Sequence, residues 1–192
     1  MNPIKQATPE EVYLSFSSDV NPNTTQGLLS TIGNFVQRGT KHIHLLISSP
    51  GGQVSCGINI YNTLRALPIT VSTYNTSNVD SIGNVIYLAG DHRYACPHSR
   101  FMFHGVGQQV AAGRRVEEKD LNEALKSIRS DQTLIANIIA ERSKIETKEL
   151  LALFLEASFL TAQEAREKGI VQTVGKLSIP IGAAYHQLVF KC

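Results

Sequence analysis

Apolar and polar positions change period repeatedly along this chain, and each change marks an element. Val12-Tyr13-Leu14-Ser15-Phe16 alternates in character and is rich in strand formers, which predicts a first strand. Pro22 and Asn23 open a helix whose stripe is Leu28, Leu29, Ile32, Phe35 and Val36, with Gly39 where a C-cap belongs. Ile43-His44-Leu45-Leu46-Ile47 is almost unbroken, the pattern of a strand covered on both faces of a parallel sheet. The turn Ser49-Pro50-Gly51-Gly52 follows. A helical stripe through Ile58, Ile60, Tyr61, Leu64 and Leu67 is then halted by Pro68, and Ile69 to Tyr74 is β-branched and reads as the next strand.

Beyond this β-α-β alternation, Ser81 opens a short apolar helix, Ile82 to Ala89, closed by Gly90. Arg93 to Ala95 and Arg100 to His104 are two short strands separated by the turn Pro97-His98-Ser99. From Val116 to Arg142 the positions Leu121, Leu125, Ile128, Leu134, Ile135, Ile138 and Ile139 describe one long amphipathic helix. At ~27 residues it would span about 40 Å, more than a small sheet can cover, so part of it is expected to project and pack against another copy. Lys148 to Phe154 predicts a shorter helix. Thr161-Ala162-Gln163-Glu164 is a capping box for a helix ending at Gly169, and Ile170-Val171 starts a final strand region. The run Ala183 to Cys192 is a candidate further strand. No repeat or linker interrupts the pattern, so residues 1–192 are expected to form a single α/β domain.

Composition changes this picture mainly by exclusion. Hydrophobic residues are 42% and charged residues 18% of the chain, which is globular composition. The net charge is +2 with scattered lysines and arginines, and Arg114-Arg115 is a pair rather than a patch, so no nucleic-acid partner is expected. Cys56, Cys96 and Cys192 are odd in number and widely spaced, suggesting neither a disulfide framework nor a zinc site. Met1 to Gln6 lacks the apolar core of a signal peptide and no long apolar run occurs, so the expected home is the cytoplasm, with no membrane partner.

Candidate chemistry concentrates at two strand-to-helix turns. Gly51 and Gly52 carry no Cβ, so their backbone can approach a ligand and aim amides at an anion. Ser81, with Gly83 two residues on, presents a hydroxyl where a strand turns into a helix; it is either a nucleophile or an ordinary N-cap. If it is a nucleophile, the Ile82 and Gly52 amides can form an oxyanion hole, because adjacent strand-to-helix turns of an α/β sheet open at one edge. A serine needs a base. Of six histidines, His42 and His44 read as half-exposed sheet residues, His92 and His98 fall in loops, and His104 ends the apolar run Phe101-Met102-Phe103, where a polar side chain must be satisfied or functional. No HxxxH spacing or carboxylate cluster supports a histidine metal site, and no cofactor is expected.

The series Ser49-Pro50-Gly51-Gly52, Ser81-Ile82-Gly83, Pro97-His98-Ser99-Arg100-Phe101-Met102-Phe103-His104 and Phe159-Leu160-Thr161-Ala162-Gln163-Glu164-Ala165 resembles the proteolytic subunit family of the ATP-dependent Clp protease, over roughly Val12 to Val174. The resemblance implies a crotonase-like fold of β-β-α repeats, with a handle region at about residues 105–155. It implies a serine endopeptidase acting on peptides or unfolded proteins through an acyl-enzyme, in stacked homo-oligomeric rings whose handle helices interdigitate. Carried over by position, Ser81 is the nucleophile, His104 the base, and the Gly52 and Ile82 amides the oxyanion hole. Three departures qualify this. The family's catalytic aspartate falls at Ala157, leaving Glu156 as the candidate orienting acid. Asp80 precedes Ser81, where it either opposes the oxyanion or faces away and caps the helix. The chain starts almost at the first strand, which puts coupling to an ATPase unfoldase in doubt. A catalytically weak or silent ring subunit, and an acyl-thioester enzyme of the crotonase class, are the alternatives.

Overall fold

In a computed structural model of the chain the described residues are 9–110, 113 and 115–190, so Arg114, Cys192 and the first residues named above lie outside them. The core is a strongly parallel sheet. Strand β1 (Glu11–Ser17) leads through helix α1 (Pro22–Gln37) to β2 (His42–Ser49), and helix α2 (Val54–Ala66) leads on to β3 (Thr70–Asp80). Helix α3 (Gly83–Leu88), β4 (His92–Ala95) and β5 (Arg100–Phe103) follow, then the long α4 (Glu118–Arg142), α5 (Thr147–Leu153), β6 (Ser158–Thr161), α6 (Ala162–Glu167), β7 (Thr173–Val174) and β8 (Ala184–Gln187). The eight-stranded sheet runs β6-β5-β3-β2-β1-β8, with β4 pairing β3 and β7. Every pairing is parallel except β5 with β6.

The apolar stripes meet in one core. Leu14 and Phe16 of β1, Ile43, Leu45 and Ile47 of β2, Leu28 and Ile32 of α1 and Ile60 and Leu64 of α2 are all buried. Burying such side chains contributes roughly 1.5–3 kcal/mol each relative to leaving them in water. The C-terminal run does add a strand, β8, parallel to β1 at the sheet edge. Cys56 and Cys96 are free thiols.

Two elements depart from the sequence expectation. Strand β3 does not stop at Tyr74 but continues through the polar stretch Asn75–Asp80 to the Ser81 turn. Its polar side chains there are held by neighbouring strands: Asn75 Nδ2 donates to Arg100 O at 2.8 Å, and Thr76 Oγ1 donates to Ile47 O at 3.2 Å. The second is β6, which the pattern did not announce because four residues pair antiparallel with β5 and only Leu160 is buried.

Helix α4 has 25 residues, and only Ile135, Ala136, Ile138 and Ile139, in its last two turns, are buried. Leu121 and Leu125, on the first half, are 60% and 43% exposed. The helix therefore projects, as its length required.

Candidate active site

Strands β2, β3 and β5 are parallel neighbours, so the turns at their C-terminal ends open at one edge of the sheet. The register Asn78↔Arg100, Val79↔Phe101, Asp80↔Met102 delivers Ser81 beside the end of β5, with His104 one residue beyond that strand. Ser81 N donates to Met102 O at 2.9 Å. Asn84, fully buried, ties the same turn to β5: its Nδ2 donates to Ser81 O at 2.9 Å and to Met102 O at 2.8 Å. Sequence reasoning passed over Asn84, although a lone amide inside the apolar run Ile82 to Ala89 was a visible signal.

Ser81 has φ 55°, and among the described residues no other non-glycine has a positive φ. The left-handed region costs an L-residue roughly 1–2 kcal/mol. Capping does not account for it, because the N-cap of α3 is Ile82 and no side chain caps that helix. The N-cap alternative for Ser81 thus gives way to a strained strand-to-helix elbow. Such a turn projects its side chain outward.

The glycine turn is shaped to meet this elbow. Gly51 has φ 88°, and a Cβ on it would fall 2.6 Å from Ser81 Cβ and 2.8 Å from Asp80 O, so only glycine lets the two turns touch. A Cβ on Gly52 would strike Val20 O, because an isolated parallel bridge holds Gly52 against Val20. Val20 N donates to Gly51 O at 2.7 Å and Gln53 N to Val20 O at 2.8 Å. That pairing uses the amides on either side and leaves the Gly52 N–H with no acceptor among the described residues. The Ile82 N–H is likewise unpaired there. Gly52, Ile82, Ser81 and His104 all line one cavity of about 370 Å³, walled by Phe103, Ile135, Ile139 and Phe154. Two free amides beside a hydroxyl and an imidazole can stabilise a tetrahedral oxyanion and move a proton.

The remaining position is less complete. His104 is exposed and makes no hydrogen bond among the described residues, to Ser81 or to any carboxylate. The antiparallel register Met102↔Phe159, Phe103↔Ser158 explains this. Continued by one step past the ends of both strands, that register would set Ala157, which is exposed, opposite His104, with a methyl in the place of an orienting acid. Glu156, in the bend before β6, is exposed, lies outside the cavity, and has no hydrogen bond to His104 among the described residues; its carbonyl accepts from Ser158 Oγ at 3.4 Å. The structure does not bring Glu156 to the site.

Asp80 faces neither the cavity nor the helix end. It is buried, with Oδ2 accepting from Asn78 Nδ2 at 2.8 Å and Oδ1 without a partner among the described residues.

A serine at a strained elbow that touches a glycine turn, with two unpaired amides lining the same cavity, is an arrangement able to carry out acyl transfer. A family model for Clp protease matches residues 4–178. Curated relatives named ATP-dependent Clp protease proteolytic subunit, from Bacteroides fragilis and Bacteroides thetaiotaomicron, are each 32% identical over 158 residues, which is 81% of this chain and 73% and 69% of those proteins. A mutant of ClpP1 from Listeria monocytogenes shares the fold, with a TM-score of 0.76 and 23% identity over 86% of this chain and 91% of that one. The chain belongs to the Clp protease family, and its class is that of a serine-type peptidase. Neither the silent-subunit nor the acyl-thioester alternative is favoured by these likenesses.

Proposed function

We propose that the chain hydrolyses peptide bonds of peptides or unfolded proteins through an acyl-enzyme on Ser81. His104 removes the hydroxyl proton as Oγ attacks the carbonyl and returns it to the leaving amine. The Gly52 and Ile82 amides hold the oxyanion. Removing one such donor elsewhere costs about 10²–10³ in rate, so these two amides account for a large share of the barrier lowering.

The single observation that carries this reading is Ser81 at φ 55°, lining one cavity with His104 and both free amides. Position 157 sets the level of activity. With no carboxylate there, the imidazole has nothing to fix its tautomer or stabilise its charged form, and loss of that role costs up to about 10⁴ in a serine protease. The wild-type chain is therefore a slow peptidase.

The exposed first half of α4, with Leu121 60% and Leu125 43% exposed, supports self-association through that helix, in rings of the kind the family forms. Among the described residues no helix is long and apolar enough to cross a membrane, which is compatible with a cytoplasmic site of action. An ATPase partner is left outside the proposal.

The test is turnover of a fluorogenic peptide and of an unfolded protein by wild type and Ser81→Ala at equal assembly state, followed by sedimentation. Slow cleavage that vanishes in Ser81→Ala supports the reading. Equal rates in both would refute it.

A further inference from the structure

The opposite end of the same strands carries a second constellation. Register pairs Glu11 with His42 and Tyr13 with His44, so two histidines at i and i+2 on β2 share a face with a carboxylate on β1. His-x-His on a strand brings two imidazoles together as HxxxH does on a helix, and only strand pairing supplies the acid. His44 is buried, not half-exposed as its place in the sequence suggested.

Three donor atoms, one each from Glu11, His42 and His44, lie within 4.8 Å of one another. His44 Nε2 is 3.4 Å from Glu11 Oε2, and His42 Nδ1 is 3.9 Å from Glu11 Oε1. Two ligands at tetrahedral angles with bonds of about 2.0–2.1 Å stand roughly 3.3 Å apart, so the site is within a small contraction of a metal-binding geometry.

The far nitrogens are already engaged. His44 Nδ1 lies 2.9 Å from Tyr74 Oη and His42 Nε2 lies 2.8 Å from Ser72 Oγ. With those hydroxyl oxygens accepting the ring N–H groups, the lone pairs of the near nitrogens face Glu11. This is the outer-shell arrangement that orients metal-ligating histidines. The rings are fixed as well, with His44 stacked on Tyr13 at 4.1 Å and against His42 at 4.0 Å. Glu11 has 61% of its side chain exposed, which gives an ion a way in.

We propose that Glu11, His42 and His44 form a binding site for a divalent transition metal of the zinc or cobalt type, with water completing the coordination and the ion tying β1 to β2. Two imidazoles and one carboxylate suit such borderline cations and disfavour magnesium, which prefers oxygen ligands. At about 3.3 Å per residue, the seven steps of β2 from His42 to Ser49 put this site roughly 23 Å from the glycine turn, so it is separate from the peptidase chemistry.

The test titrates the full chain, washed with chelator, with zinc by calorimetry and with cobalt by visible absorption. The expected result is one metal per chain, d–d bands of a four- or five-coordinate ion, no response to magnesium, and affinity about tenfold or more weaker in Glu11→Gln and in His42→Gln. Glu11 is exposed, so the metal-free melting temperature of Glu11→Gln at neutral pH is expected to match wild type and to separate lost ligation from lost folding, while His42→Gln, whose side chain is 22% exposed, serves as the second ligand variant. A Cys56→Ser/Cys96→Ser chain should bind unchanged. No saturable binding at millimolar metal, or undiminished binding in the Glu11→Gln/His42→Gln double variant, would overturn the proposal.

Discussion

The proposed mechanism draws on both the Ser81 elbow and the segment 155–158, yet the two are built to different standards. The elbow is over-determined: Asn84, Met102, Gly51 and the Val20 bridge all hold it, and it keeps a φ of 55° against its steric cost. The other segment offers His104 a methyl at Ala157 and turns Glu156 outward. In the proposed mechanism the difference makes oxyanion stabilisation and base orientation separable. The first depends on backbone geometry that many contacts enforce. The second depends on one side chain just before a short strand, which a single substitution removes without disturbing the fold.

Substitutions can widen or close that difference, and the largest effect is expected at the elbow. Ser81→Gly should abolish peptidase activity, a loss of order 10⁴ or more, while stabilising the fold by about 1 kcal/mol because glycine adopts positive φ without strain. Peptide turnover and thermal melting of the same sample check both halves. Gly52→Ala should follow, lowering activity about 10²–10³-fold by displacing an amide donor, and it should also lower the melting temperature because its Cβ meets Val20 O. Ala157→Asp works in the opposite direction. It should raise kcat by about ten- to a hundredfold and make the gain depend on His104, since a carboxylate opposite the imidazole restores its orientation. Glu156→Gln should leave the rate within about twofold, because that side chain serves neither group.

The distant histidines give a stability effect of their own. Burial lowers the proton affinity of His42 and His44 below the ordinary 6.5, with His42 adding to the effect on His44. Between the lowered folded-state value and about 6.5 the unfolded chain then binds more protons than the folded one, so stability should fall as pH drops through that window and level off below it. Melting curves of wild type and His42→Gln across that range check the sign, with a shallower fall expected in the variant.

Much of this was legible in the sequence. Period changes located the helices and the buried strands, and Gly51, Gly52, Ser81 and His104 stood out by residue type and position. What escaped notice depends on pairing between distant strands. Residues 75–80 carry no strand pattern of their own, and their side chains are held by Ile47 O and Arg100 O on neighbouring strands. The placing of position 157 near His104 comes from continuing the β5–β6 register by one step, and the meeting of Glu11 with His42 is a property of β1–β2. Ser81's strain is likewise a backbone angle that no residue type announces.

The most direct measurement of the central claim is covalent labelling with a fluorophosphonate, located by peptide mapping, in wild type, Ser81→Ala and His104→Ala. The account predicts a single adduct on Ser81, absent from Ser81→Ala and formed far more slowly in His104→Ala. An adduct on another residue, or one that forms at the wild-type rate without His104, would contradict it.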